Sequence, residues 1–336
     1  MRFRMTYILF MILLVTSCRK EICYNHDEHS EGIRVDVVTS WETVWERDYG
    51  CGWETCWNPD WTVAYEDLCP TVPEGLRVIA YHESGNRKEF NIAPEGTRIA
   101  LGEEGEYALL FYNNDTEYIV YDDLSSLQYA SATTRTRSRA GFRSPHDGEA
   151  ILNQPDMLYG HYVTSHVAER KMETDMLEIE LRPLVYTYYI NCSFDSGFEY
   201  VSKAQGALAG MADMVYLHDG HTGPDSATLM FDCAVGESCL DARVMTFGIP
   251  DYPGDHYGSR ADGSGFMLRL EVLLTNGLYK TFDVDIADQI ENQPRGGVIR
   301  IDGLTISSEE GDASPGSGGF EVGVEGWGDH VNIPLN

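Results

Sequence analysis

Residues 266–286 read FMLRLEVLL, then Thr275, then Asn276-Gly277, then LYKTFDVDI. Two apolar, β-prone runs flank an Asn-Gly pair, which is the strongest short-range hairpin signal a sequence carries. The expected turn is type I′, because Asn and Gly tolerate the positive dihedrals it needs. The same signature spreads outward from this hairpin. Ile33, Val35 and Val37 alternate with Arg34 and Asp36, and Leu76, Val78 and Ala80 alternate again. Arg98–Leu101, Tyr107–Tyr112, Tyr118–Tyr121, Met176–Leu181 and Leu184–Phe194 are further strands. Ala227–Phe231, Val244–Phe247, Val298–Ile301 and Phe320–Val324 continue the series. Asn113-Asn114-Asp115 is turn chemistry, since these side chains bond their own backbone. Many short strands with turns between them predict an all-β chain of sandwiches or barrels. Ala204–Leu217, rich in small residues, stands as either a short helix or a close-packed crossing.

The chain has 336 residues, enough for two cores. It carries 54 acidic against 24 basic side chains, a formal net charge of −30. So negative a field argues against nucleic acid as a partner. The 33 glycines and 13 prolines suit turns, and 20 tyrosines with 12 phenylalanines supply core volume.

Met1–Ser17 has Arg2 and Arg4, then an apolar run from Tyr7 to Val15, then small residues. These are the parts of a secretory signal peptide. The run is shorter than the ~20 residues that a spanning helix needs. Its ending, Leu14-Val15-Thr16-Ser17-Cys18, resembles the lipobox of bacterial lipoproteins. That resemblance implies acylation of Cys18, palmitate among the chains, and attachment to the outer membrane through lipid, on either its periplasmic or its outer face. Residues 18–31 are then a polar tether.

Residues 32–130 are expected to form the first sandwich, with a Cys/Trp-rich insertion over 40–70. Trp53, Trp57 and Trp61 admit two readings. They form a glycan platform, since aromatic faces stack on sugar rings, or they pack a disulfide-stapled insertion onto its strands. Cys51 and Cys56 lack the paired spacing of a zinc ribbon, so no metal is assigned. Apart from Cys18, seven cysteines remain, an odd number; Cys233 with Cys239, and two among Cys51, Cys56 and Cys69, are the suggested pairs. Residues 131–149 form the one basic run, with Arg135, Arg137 and Arg139 as protease-sensitive positions in a linker. The second sandwich is expected over 150–336.

Several segments together resemble the fimbrillin-like lipoproteins of anaerobic gut and oral bacteria: Cys18–His26, Tyr112–Glu117, Gly206–Ala212, Thr246–Gly248, Asp283–Ile290, Ile301–Leu304 and Phe320–Trp327. The nearest branch has no assigned function and is related to anchor subunits of type V pili. The resemblance implies two tandem transthyretin-like β-sandwiches after a lipoprotein signal peptide. It also implies pilus subunits as partners and strand donation between them. Val331, Ile333 and Leu335 alternate and are the donor-strand candidates, or else the last strand of their own sheet. Shaft subunits are cleaved after an arginine inside the first domain, whereas here the arginine run falls at the expected junction. The Cys/Trp insertion is outside the family pattern.

The expected function is a lipid-anchored structural or adhesion protein of the cell envelope, a pilus-like anchor or accessory subunit. A surface protein binding host or glycan ligands is the alternative. No G-x-S-x-G elbow or H-E-x-x-H helix occurs, and the His218-Asp219-Gly220-His221 stretch reads as a turn. No enzyme activity, cofactor or catalytic residue is therefore assigned.

Overall fold

A computed structural model describes residues 33–47, 52–138, 144–253, 265–314 and 331–332. The signal peptide, Cys18, the tether, Cys51, Arg139, Phe320–Val324, Ile333 and Leu335 lie outside the described residues.

The first sandwich starts with β1 (Arg34–Trp41), β2 (Leu76–His82), β3 (Arg87–Ile92), β4 (Arg98–Ala100) and β5 (Gly105–Asn113). It is completed by β10 (Tyr159–Ala168) and β11 (Asp175–Pro183). The strand order is β3-β2-β5-β10-β11-β1-β4. The ladder between β10 and β11 has just two pairs, Tyr159↔Pro183 and Gly160↔Arg182, so the sheet folds there into two layers. Val35, Val37, Val78, Leu109, Phe111, Ile179 and Leu181 fill the space between them. The other face of β2 and β5 is also covered. Ile79, Leu110 and Tyr112 pack under a small sheet of β6 (Ile119–Asp122), β7 (Ser131–Thr134) and β14 (Met214–Tyr216). Burial on both faces is why Tyr107–Tyr112 reads as an unbroken apolar run.

The second sandwich contains β12 (Tyr186–Ser196), β13 (Val201–Ala212), β15 (Ser226–Val235) and β16 (Cys239–Thr246). β17 (Met267–Leu274), β18 (Tyr279–Asp285) and β19 (Gly297–Thr305) complete it. The order is β18-β17-β13-β15-β16-β12-β19, and β9 (Ala150–Leu152) runs parallel to β15. Tyr188, Ile190, Leu208, Leu229, Phe231, Leu268, Leu270 and Ile299 belong to its core. Two all-β sandwiches in tandem are thus what the chain forms.

Four sequence expectations change. First, β11 pairs in parallel with β1, so the first sandwich draws strands from as far on as Pro183. The segment 131–138 is not an open linker. Residues 131–134 are β7, with Ser131, Ala132 and Thr134 buried, and Arg137–Ser138 is β8. The reason is non-local: sheet order, unlike strand content, leaves no trace in local alternation.

Second, the 266–286 hairpin forms, with Leu273 opposite Tyr279, but its turn differs. Gly277 takes φ +83°, while Asn276 is not among the described non-glycine residues with positive φ. That is a type I turn closed by a left-handed glycine, not type I′. Asn276 is engaged elsewhere: its amide donates to the carbonyls of Glu310, Gly311 and Ala313.

Third, of the two readings of Ala204–Leu217 the close-packed crossing stands and the helix does not: Ala204–Ala212 is the C-terminal part of β13, and Met214–Tyr216 is β14. Ala204–Ala212 is buried on both faces, so small residues replace alternation. The Phe231 ring lies over Gly206, where a Cβ would overlap it. Gly206→Ala is expected to lose about 1–3 kcal/mol through forced movement of that ring. Unchanged urea unfolding of the variant would show that the ring yields freely.

Fourth, Cys233 and Cys239 are both free, as are Cys56, Cys69 and Cys192. The β15–β16 register sets Ala234 opposite Asp241, so Cys233 and Cys239 do not face each other. Burial pushes the Cys192 thiol up to about 12, which makes it inert at neutral pH.

Candidate functional site

The insertion after β1 is the most distinctive feature of the chain. Glu42 N–H donates to Leu181 O as the chain leaves β1, and the segment then lies across the second sandwich. Its local structure is slight: a one-turn helix α1 (Trp53–Cys56) and a 3₁₀ turn over Tyr65–Leu68. Neither turn could hold itself in water, so its position comes from the surface below. We call this segment the strap.

The strap is held by aromatic packing. Trp45 is 3% exposed, and its Nε1–H donates to Thr187 O at 2.9 Å. The Trp57 ring meets Trp61 edge-on at 4.5 Å between centroids and Trp45 at 5.8 Å. Tyr189, on the outer face of β12, lies 5.2 Å from Trp57 and 5.0 Å from Trp61. Edge-to-face pairs bring the positive rim of one ring to the negative face of another. Trp57 Nε1–H is spent on Val63 O at 3.0 Å. Leu68 and Val298 complete the cluster.

Beneath the rings sits Asp241, 1% exposed on β16. Its Oδ1 accepts from Tyr189 Oη at 2.6 Å and from Asn191 Nδ2 at 2.5 Å. Its Oδ2 accepts from the strap itself, Thr62 N–H at 3.4 Å. Burial, then the hydrogen bond to Asp241, pushes the Tyr189 phenol far above the tyrosine range. Tyr189 is therefore a neutral donor at every physiological pH. Farther along, Arg243 Nη1 donates to Asp67 O at 2.8 Å. At the start of the strap, Arg47 pairs with Glu42 at 3.0 Å and lies over the Tyr186 ring. The strap is thus fixed at both ends and in the middle to strands of the second sandwich, although it continues a strand of the first.

The predicted site residues fall as follows. Trp53, Trp57 and Trp61 come together in one cluster with Trp45, Tyr65 and Tyr189. They are half-buried, and Trp57 and Trp61 stand at 85° to each other, so these two rings do not share one plane. Arg135 is half-buried, and its carbonyl accepts from Asn153 N–H at 3.0 Å. Arg137 lies in β8, opposite Asn332, with its guanidinium donating to Met230 O at 3.3 Å. Val331 pairs with Ser138 in the two-residue strand β20 (Val331–Asn332), within the same chain. His218 and His221 flank a turn in which Tyr216 N–H bonds His221 O. Among the described residues no group of His, Cys, Asp and Glu is arranged to hold a metal, and no helix is long and apolar enough to cross a membrane.

Sequence reasoning missed the seat: Tyr189, Asn191 and Asp241. The available signal was Asn191 within the aromatic run 184–194, a polar group that needs a partner if buried.

The family described as a domain of unknown function (DUF5119) matches residues 59–232. Among solved structures, a candidate adhesin from Bacteroides ovatus is similar, with 18% identity and a TM-score of 0.56. The match covers 87% of this chain and 99% of that one. A candidate polysaccharide-binding protein from Bacteroides thetaiotaomicron has 11% identity and a TM-score of 0.45, over 80% of this chain and 90% of that one. The fimbrial anchor protein Mfa2 from Porphyromonas gingivalis has 14% identity and a TM-score of 0.43, over the same shares. Comparison with curated proteins finds no match. The Bacteroides ovatus similarity establishes a shared fold.

Proposed function

This chain belongs to the DUF5119 family, and from that premise we propose that it is a lipid-anchored structural and adhesion protein of the bacterial cell envelope, a fimbrillin-like anchor or accessory subunit. The observation that carries the reading is the strap. It ties a continuation of β1 across β12, β16 and β19, so that a pull on the N-terminal end reaches both sandwiches at once. A protein tethered at one end and loaded at the other needs that continuity. The signal peptide and Cys18 supply the tether, with acyl chains held in the outer membrane. The fold shared with the candidate adhesin from Bacteroides ovatus, over 87% of this chain, supports the same class of role. Fold alone does not fix function, so the anchor is the part to test first.

Cells fed an alkynyl fatty acid should label the native protein, and Cys18→Ala should abolish the label and move the protein from the membrane pellet to the soluble fraction. Unlabelled native protein with a free amino terminus would end the lipid reading. For the C-terminal strand, the pairing of Val331 with Ser138 supports retention by its own chain. Purified protein should then be monomeric. Ladders of this protein cross-linked through residues 331–335 on cells would instead assign the strand to a neighbour.

A further inference from the structure

Among the described residues, strand β19 lies at the end of its sheet, paired on one side only, in parallel with β12. In that register Val298 and Arg300 turn their backbone N–H and C=O groups away from β12. Such an edge is a template for another chain. Gly297–Ile301, sequence GVIRI, is β-branched and carries one charge, the composition that pairs most readily with a copy of itself.

Both outward positions are filled, and by side chains. A short helix α2 (Ala287–Glu291) follows β18, held down by buried Ile286 and Ile290. Gln289 Nε2 donates to Arg300 O at 2.9 Å, and Arg300 N–H donates to Gln289 Oε1 at 2.8 Å. One step along, Gln293 Nε2 donates to Val298 O at 2.8 Å, and Val298 N–H donates to Gln293 Oε1 at 2.8 Å. A carboxamide offers one acceptor and a donor at the spacing of a peptide group. Two of them four residues apart match strand positions two residues apart. Gln293 is fixed in turn, since Tyr188 Oη donates to its backbone carbonyl at 2.5 Å. After Ile301 the ladder loses register, so these two positions are the regular part of the edge.

We propose that Gln289 and Gln293 are an edge guard, which keeps β19 from adding a strand from a second copy of this chain. The guard acts whether or not the chain is lipid-anchored. It confines any strand exchange in assembly to other edges.

The test uses the mature chain and the variant Gln289→Ala/Gln293→Ala, with light scattering after gel filtration and amide hydrogen exchange. In dilute monomer the Val298 and Arg300 amides should exchange about tenfold faster, each having lost one hydrogen bond. At higher concentration the variant should associate, and these amides should become protected again. A variant that stays monomeric at every concentration overturns the proposal. So does association that leaves residues 298–300 unprotected, or exchange there that does not change. Gln289→Ala alone, at a half-buried position of α2, gives the same readings at Arg300 if the double variant fails to fold.

Discussion

Trp45→Ala is expected to lower the unfolding free energy by about 3–5 kcal/mol, the range for deleting a large buried ring whose space does not collapse. Three observations set it at the top of that range or cap it. The ring is almost fully buried, against Trp57 and Tyr65 edge-on. Its removal leaves the Thr187 carbonyl without its indole partner. Against this, the strap has little secondary structure of its own, so it can detach while both sandwiches stay folded. The cost then saturates at the free energy of docking the strap. Trp53→Ala, at a half-buried ring in the same cluster, should cost less, about 1–2 kcal/mol by the area it covers. Guanidinium unfolding at constant slope separates the two cases. A Trp45→Ala midpoint close to wild type, with residues 52–70 newly open to protease, means a strap that docks weakly and does not join the sandwiches. Equal small effects for both variants would remove the strap from any structural role.

The chain's strands were legible where one face is buried and the other wet. Ile33, Val35 and Val37 alternate because their neighbours Arg34 and Asp36 have somewhere polar to go. The 266–286 hairpin was legible because alternation and turn chemistry agree. Its turn type was not, because Asn276 serves the carbonyls of 310–313, and nothing near it in sequence records that. β13 was illegible for a steric reason. A strand packed on both faces needs small residues, and small residues are equally at home in a helix.

Sheet membership was the larger gap. β1 and β11 pair although Val35 and Asp175 are far apart in the chain, and a bulge between Val163 and His166 breaks the alternation of β10. A basic stretch that reads as an exposed connection therefore proved to contain β7 and β8. The strap was found as a cluster of Trp and Cys, but its seat was not. Which surface an insertion covers depends on the complementary residues at 189, 191 and 241, and each of these reads as an ordinary strand position on its own.

That seat gives the second large effect. Asp241→Ala should cost about 2–5 kcal/mol, for a reason distinct from lost volume. Tyr189 Oη–H and Asn191 Nδ2–H would both lose the buried carboxylate oxygen they share, and a buried donor that loses its acceptor costs about 1–3 kcal/mol. Burying the carboxylate is itself unfavourable, so the sign is decided by which term is larger. Asp241→Asn separates them: it keeps an acceptor oxygen, sheds the charge, and should lose less than half as much as alanine. Replacing all three groups with apolar ones of similar size (Tyr189→Phe, Asn191→Leu, Asp241→Leu) should recover most of the loss. The Tyr189 phenol adds a pH signature. Its folded-state proton affinity is raised, so its contribution is complete below the ordinary tyrosine value of about 10 and declines as pH rises beyond it. Wild type should lose stability relative to Tyr189→Phe in that alkaline window and not below it. An Asp241→Ala variant more stable than wild type would mean that the buried charge outweighs its hydrogen bonds. The strap would then be held by its tryptophans alone.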